Sequence, residues 1–306
     1  MNQHLVSRVL LNRWADRKNG PIGVLNVNTL IDDAKPAAQL GSLEDLVKAG
    51  AEELEQVWNN EVEKKLPHIF KLLDDDDLLK RKNLQYLAVL KDCMAMHWAR
   101  SFAIRAMVDR LKVQYGSKIA DDVLSRFPAQ SVARAFSGIY LPELRVEQFA
   151  RDSVQRAFEK DLEQGFLRDQ FLKYFAEAKK RIASFGIEIG VALKSEFVLG
   201  DCPVVTYDKD TDRAGVLFGA TWADANAIFM PIGPRHVIAL AKDNRRRDLS
   251  EGMVVAINKL QVRAAFQEIY FRSDSGLGKV IAEALRGSSE QLQGVSSSHD
   301  HDGGSE

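Results

Sequence analysis

The sequence is short of the features that mark the most recognisable protein classes. It has two cysteines in 306 residues, Cys93 and Cys202, far apart. That count argues against a disulfide framework and fits two reduced, buried thiols in a reducing compartment. The formal net charge is −1 at pH 7, so no whole-protein field draws the chain to nucleic acid or an anionic membrane. Nucleic acid as a partner is therefore unsupported by charge. The apolar run from Cys93 to Trp98 falls far below the roughly 20 apolar residues of a bilayer span. Arg8 and Arg13 interrupt the apolar stretch at the start, so no secretory pattern is read there. A cytoplasmic location with no membrane contact is the expectation. There is no internal repeat, no glycine-rich phosphate loop, and no HExxH or CxxC zinc pattern.

What is present is core-forming material. Hydrophobic residues make up 45% and charged residues 28%, enough for a real core in an ordinary globular chain. "VLNVN" after Gly20, Pro21 and Gly23 reads as a short strand. "SLED" offers a helix cap, with Ser42 and Asp45. From Leu43 to about Tyr174 the pattern is mostly helical. Leu54, Trp58, Val62, Leu66, Ile69 and Leu73 recur at spacings of three and four, which predicts one helix over 51–73. "DDDD", Asp74 to Asp77, reads as a solvated turn rather than a metal site, because contiguous acids converge poorly on one ion. A nearly all-apolar helix follows over about 84–109. A charged helix covers about 146–182, with a break near Gly165.

Around Gly186 the period changes to two. Ile187, Ile189, Val191 and Leu193 alternate onto one strand face. "EFVLGDCPVVTY" is expected to complete a hairpin with that strand. "AIFMPIGPRHVIALA" gives two more extended runs around a Gly-Pro turn, after a long loop over 208–226. "DNRRRD" reads as a solvated basic loop. A helix over 252–271 closes the fold.

The expected architecture is α+β. A mostly helical N-terminal and central region (43–184) packs with a small antiparallel sheet, formed by the N-terminal strand and the C-terminal hairpins (186–242). Residues 1–285 are read as one domain, and 286–306, rich in Ser, Gly and Asp with "HDHD", as a disordered tail.

Four polar features need explaining. His4 stands in an apolar opening, either as a satisfied structural residue or as chemistry. Glu55 and Glu61 lie at the borders of the first helix's apolar stripe, whereas Glu53 and Glu63 point away at 100 degrees per residue. Two inward carboxylates are costly to bury unpaired, although Lys65 nearby allows a bland ion-pair network. In "HWAR", His97 and Arg100 share a helix face, and a guanidinium on an apolar helix must find an acceptor, in the protein or in a substrate. In "LGDCPVV", Asp201 either bonds its own turn or presents a carboxylate at a strand end. Cys202 lacks any supporting oxyanion pattern, so nucleophilic catalysis is not expected.

Together these features resemble the bacterial family called domain of unknown function 4238, whose opening pattern is HHxVPxxxLxxF. "QHLVSRVLLNRW" is similar: His4 takes the second histidine, Val6 the valine, Leu11 the leucine and Trp14 the final aromatic. Gln3 stands for the first histidine and Ser7 for the proline. The resemblance further implies two glutamates on a helix, Glu55 and one of Glu61 and Glu63, then the arginine Arg100, the turn with Asp201 and Pro203, the strand "FMPIGPRHVIAL", and Asn258 in the last helix. It supplies residues rather than a reaction.

Two functional readings stay open. One is a metal-assisted, nuclease-like hydrolase of an anionic substrate. His4, Glu55, Arg100 and Asp201 would be catalytic, and Glu55, Glu61 and Asp201 would hold Mg²⁺ or Mn²⁺. The other is a non-catalytic binding or protein-interaction module whose polar core residues are structural. Whether the chain is an enzyme is left open.

Overall fold

The segment that opens the chain folds into its centre. Leu5, Val6, Leu10, Leu11 and Trp14 are all fully buried, each contributing about 1.5–3 kcal/mol of apolar burial. The computed structural model of the protein describes residues 2–17, 20–44, 51–76, 78–79, 84–140, 142–161 and 167–286. Among these, strand β1 (Asn2–His4) pairs antiparallel with β4 (Ser42–Glu44), and helix α1 (Arg8–Leu11) follows it. The amides of Leu5 and Val6 both donate to the Gly41 carbonyl, at 2.8 and 3.0 Å. Gly41 has φ +58°, and a Cβ there would lie 2.8 Å from Cβ of Val6. Only glycine fits both demands. Ser42 is thus a strand residue and not a helix cap; Asp45 lies outside the described residues.

Helices α2 (Ala51–Glu61), α3 (Leu66–Asp74), α4 (Leu84–Ala99), α5 (Phe102–Arg126), α6 (Ala129–Ser137), α7 (Glu143–Asp161) and α8 (Leu167–Ile182) form the helical part. Two expected long helices are each broken. The one over 51–73 breaks at Val62, whose φ −124° and ψ −67° leave the helical region, and a short 3-10 turn (Glu63–Lys65) precedes α3. Pro67 explains this: it has no N–H to give, and its ring would strike the carbonyl four residues back in a continuous helix. The helix over 84–109 ends at Ala99, and Ser101 caps α5 by accepting from the Ile104 amide at 3.4 Å.

Strands β5 (Gly186–Ala192), β7 (Val205–Asp208), β8 (Arg213–Ala214), β9 (Ala227–Gly233), β10 (His236–Ala241) and β11 (Arg245–Leu249) make a six-stranded sheet in the order β11-β5-β10-β9-β7-β8. The β9–β10 hairpin turns at Gly-Pro as expected. The basic run "RRRD" is an edge strand, parallel to β5; a charged edge discourages pairing with another chain. A four-stranded sheet has the order β3-β2-β12-β6, with β2 (Pro21–Asn26), β3 (Asp32–Pro36), β6 (Leu199–Gly200) and β12 (Glu268–Phe271).

Two expectations about these strands are corrected. The segment after β5 does not return on it. Leu199–Gly200 pairs with β12, then the chain crosses to pair Val205–Asp208 with β9. The closing helix α9 (Glu251–Ala264) stops well before Phe271, and 268–271 is strand β12. Both follow from one bend, described below. Beyond it a last helix, α10 (277–286), packs Ile281 and Ala282 against Leu25, Val198, Ile269 and Phe271. The "HDHD" segment and Asp77 lie outside the described residues. The chain is α+β, and one buried cluster runs from Leu5 through α2, α3 and α4 to β5, β9, β10 and Tyr270. Among the described residues no helix is long and apolar enough to cross a membrane.

Candidate functional site

Arg100 sits where α4 ends and α5 begins, and its side chain is fully buried. Its Nη2 donates to Oε1 of Glu63 at 2.8 Å, and its guanidinium lies over the Trp58 ring, 5.0 Å from the centroid. Nη2 also lies 3.4 Å from Nε2 of His97. Nε and Nη1 have no hydrogen-bond partner among the described residues.

The break at Val62 makes this pairing. On an unbroken helix Glu63 would point away from the apolar stripe. The turn at Val62 and the 3-10 segment swing it inward, onto Arg100. Glu61 goes elsewhere: it accepts from Lys179 at 2.7 Å, and Lys179 also contacts Asp92 at 3.3 Å. Of the two candidate glutamates, Glu63 and not Glu61 is the acid beside Arg100. The signal for this was Pro67.

His97 is fixed by its two neighbours. Nδ1 lies 2.9 Å from the Cys93 carbonyl and donates to it, which leaves Nε2 to accept the Ser7 amide at 3.2 Å. Burial, reinforced by Arg100, pulls the His97 pKa down to about 3, so the ring is neutral. Where the family's opening pattern has proline, Ser7 thus supplies an N–H that proline lacks. The Ser7 hydroxyl lies beside Glu63 without meeting hydrogen-bond geometry.

His4 is half-buried, with Nδ1 3.4 Å from the Leu40 carbonyl. Burial lowers its pKa, and the charges of Arg8 and Arg100 lower it further. Glu55 is raised by burial, only partly offset by Arg100, and its Oε1 has no partner among the described residues. Burial pushes Glu63 up, but the Arg100 charge and hydrogen bond outweigh it, and the net shift is downward. Glu63, His97 and Arg100 are thus in contact, and the charges of Arg100 and Glu63 act on His4 and on Glu55, with the two carboxylates driven in opposite directions.

Asp201 stands apart. Its Oδ1 accepts from the Phe266 amide at 2.7 Å, and its Oδ2 from Gln267 and Glu268 at 2.7 and 3.1 Å. Its own amide donates to the Glu268 carbonyl at 2.9 Å. Burial pushes its pKa up to about 6 against these three amides. This bend ends α9, starts β12, and, with Pro203 unable to donate, passes the chain from one sheet to the other. Asn258 bridges the neighbouring backbone, accepting from the Val198 amide and donating to the Glu196 carbonyl.

The metal set Glu55, Glu61 and Asp201 is therefore not brought together. Glu61 is held by Lys179, and Asp201 by three amides. Among the described residues no three His, Cys, Asp or Glu side chains lie close enough to hold an ion. Cys93 and Cys202 are buried free thiols, both pushed up by burial.

A family model described as Protein of unknown function (DUF4238) matches the chain over residues 2–275. The chain belongs to this family. No curated protein and no solved structure matches it. The DUF4238 match runs from β1 through β12, so it takes in the Arg100 cluster and the Asp201 bend, and leaves α10 outside.

Proposed function

We propose that this DUF4238 chain is a hydrolase of a small anionic substrate, such as a phosphodiester, with its site at the Arg100 cluster. One observation carries the reading. A fully buried guanidinium keeps Nε and Nη1 without partners among the described residues. Each buried donor left unmade costs about 1–3 kcal/mol, more when charged, and an anionic group accepting from both removes that cost. Carboxylates whose pKa values are pushed apart suit acid–base work. Glu55, raised, would carry the proton for the leaving group. His4, lowered and neutral, would take one from water. Glu63 would hold Arg100 in place.

A phosphodiesterase, phosphatase and nuclease panel, run with Mg²⁺, with Mn²⁺ and with a chelator, tests this. Activity should appear in the wild type and fall at least 100-fold in Glu55→Gln and His4→Asn, with thermal midpoints unchanged. Wild-type inactivity on every substrate, or full activity in Glu55→Gln, overturns it. The non-catalytic reading is favoured by a separate observation: Ser7, His97, Arg100 and Glu63 tie the opening segment to α4. On that reading Arg100→Met lowers stability and nothing else.

A further inference from the structure

A second polar site lies outside the Arg100 cluster and shares none of its residues. It is a cleft of about 750 Å³ between the turn after α1, the end of α3, the β9–β10 turn, β11 and residue 272. That volume suits a small-molecule ligand. Its charges are unevenly placed.

At one end stands His236, 8% exposed. The charges of three arginines, Arg13, Arg235 and Arg246, act on it, with Asp74 opposing them; Asp76 also lines this end. Arg13 is largely engaged: Nε donates to the Ile232 carbonyl at 2.9 Å, Nη1 and Nη2 to Asp74 at 2.7 and 2.8 Å, and Nη2 also lies 3.4 Å from Nδ1 of His236. Arg246 contacts Asp76 at 2.8 Å and Asp248 at 2.6 Å. Asp76 adopts a left-handed backbone, φ +54°, a strained state for a residue with a side chain. Arg235 differs. Its Nε and Nη2 donate to the carbonyls of Ala192 and Leu193, both at 2.6 Å, and it pairs with no carboxylate among the described residues. Its charge is left open. Burial and Arg13 bring the His236 pKa down to about 4, so the imidazole adds hydrogen bonding and no charge.

At the other end the sign reverses. Arg272 is shared by three carboxylates: Asp274 at 2.7 Å, Glu196 at 3.2 Å and Asp16 at 3.8 Å. Glu196 Oε2 is buried with no partner among the described residues. An acceptor in that position calls for a donor, and the local charge calls for a cation.

We propose that this cleft binds a small zwitterion, its anionic group on Arg235 beside His236 and its ammonium group on Glu196 and Asp16. Such a ligand matches each end of a cleft whose lining is balanced overall, and with a carboxylate as its anion it adds no net charge. A carboxylate or a phosphate satisfies the first end equally.

Calorimetry on the full chain tests this. The probes are alanine peptides of two to five residues with free termini, the same peptides acetylated or amidated, and phosphoethanolamine. At least one zwitterionic probe should bind, and its chemistry names the anion. Blocking either terminus of a binding peptide should weaken it at least tenfold. Arg235→Gln should do the same; because Arg235 also holds two carbonyls, Asp16→Asn serves as a second variant with the same expected loss. The proposal is overturned if no zwitterionic probe binds at millimolar concentration, if blocked peptides bind as well as free ones, or if both variants bind like wild type.

Discussion

The amide of Ser7 donates to Nε2 of His97 at 3.2 Å, across 90 residues of sequence. The bond requires a neutral ring, since an imidazolium has no lone pair to accept it. It fastens the buried opening segment to α4 and gives the fold a pH dependence.

With the His97 pKa near 3 in the fold and near 6.5 in the unfolded chain, the unfolded state binds the proton first as pH falls. Stability present above pH 6.5 is lost progressively toward pH 3, by on the order of 5 kcal/mol. Asp201 acts with the opposite sign. Its raised pKa of about 6 lets it regain on the order of 3 kcal/mol between pH 6 and 4. Over pH 7 to pH 4 the two largely offset, at on the order of 3 kcal/mol each, so in urea unfolding His97→Gln, whose amide oxygen still accepts from Ser7, should gain stability relative to wild type as pH falls. An equal slope in both proteins would remove His97 as the cause.

Arg100→Met should cost about 3 kcal/mol, because it leaves the Glu63 carboxylate unpaired in a partly buried site. The double variant with Glu63→Gln should recover part of that loss, measured as a coupling energy in a double-mutant cycle. Additive losses would show that the 2.8 Å contact contributes no coupling.

Asp201→Ala should lower stability by about 3 kcal/mol, since three amide donors lose one charged acceptor. If the hydrolase reading holds, activity per folded molecule stays at the wild-type level. Loss of activity at full folding would put Asp201 back among the reacting groups.

Gly41→Ala should destabilise by at least about 1–2 kcal/mol from the left-handed backbone alone, with the contact to Val6 adding to it. Thermal unfolding measures this directly, and an unchanged midpoint would mean that the backbone entering β4 relaxes freely.

Much of this was readable from local pattern. The strand at 186–192 and the Gly-Pro hairpin are set by neighbours in sequence, and both are present, although the inward alternation holds only at Ile187 and Ile189 and Leu193 lies exposed beyond the strand. The helix breaks were readable in principle, since Pro67 and Ser101 are local signals, but the apolar spacing of Leu54 to Leu73 runs straight through the first. Carrying that spacing through Val62 turned Glu63 away from the core and Glu61 toward it, the reverse of the partners they have. The bend at Asp201 was not readable at all. Its carboxylate serves amides 65 to 67 residues away, so it decides where a distant helix stops, and nothing near residue 266 announces it. The two-signed cleft was hidden for the same reason: its arginines come from four separate places in the chain.

Helix α10 sets a practical boundary. A chain trimmed at residue 275 would keep every position that the family shares, yet it would strip the cover from Leu25, Val198, Ile269 and Phe271. Apolar faces bared in that way favour self-association. Poor solubility of such a fragment would reflect a missing lid on the four-stranded sheet, not a defect in the shared body.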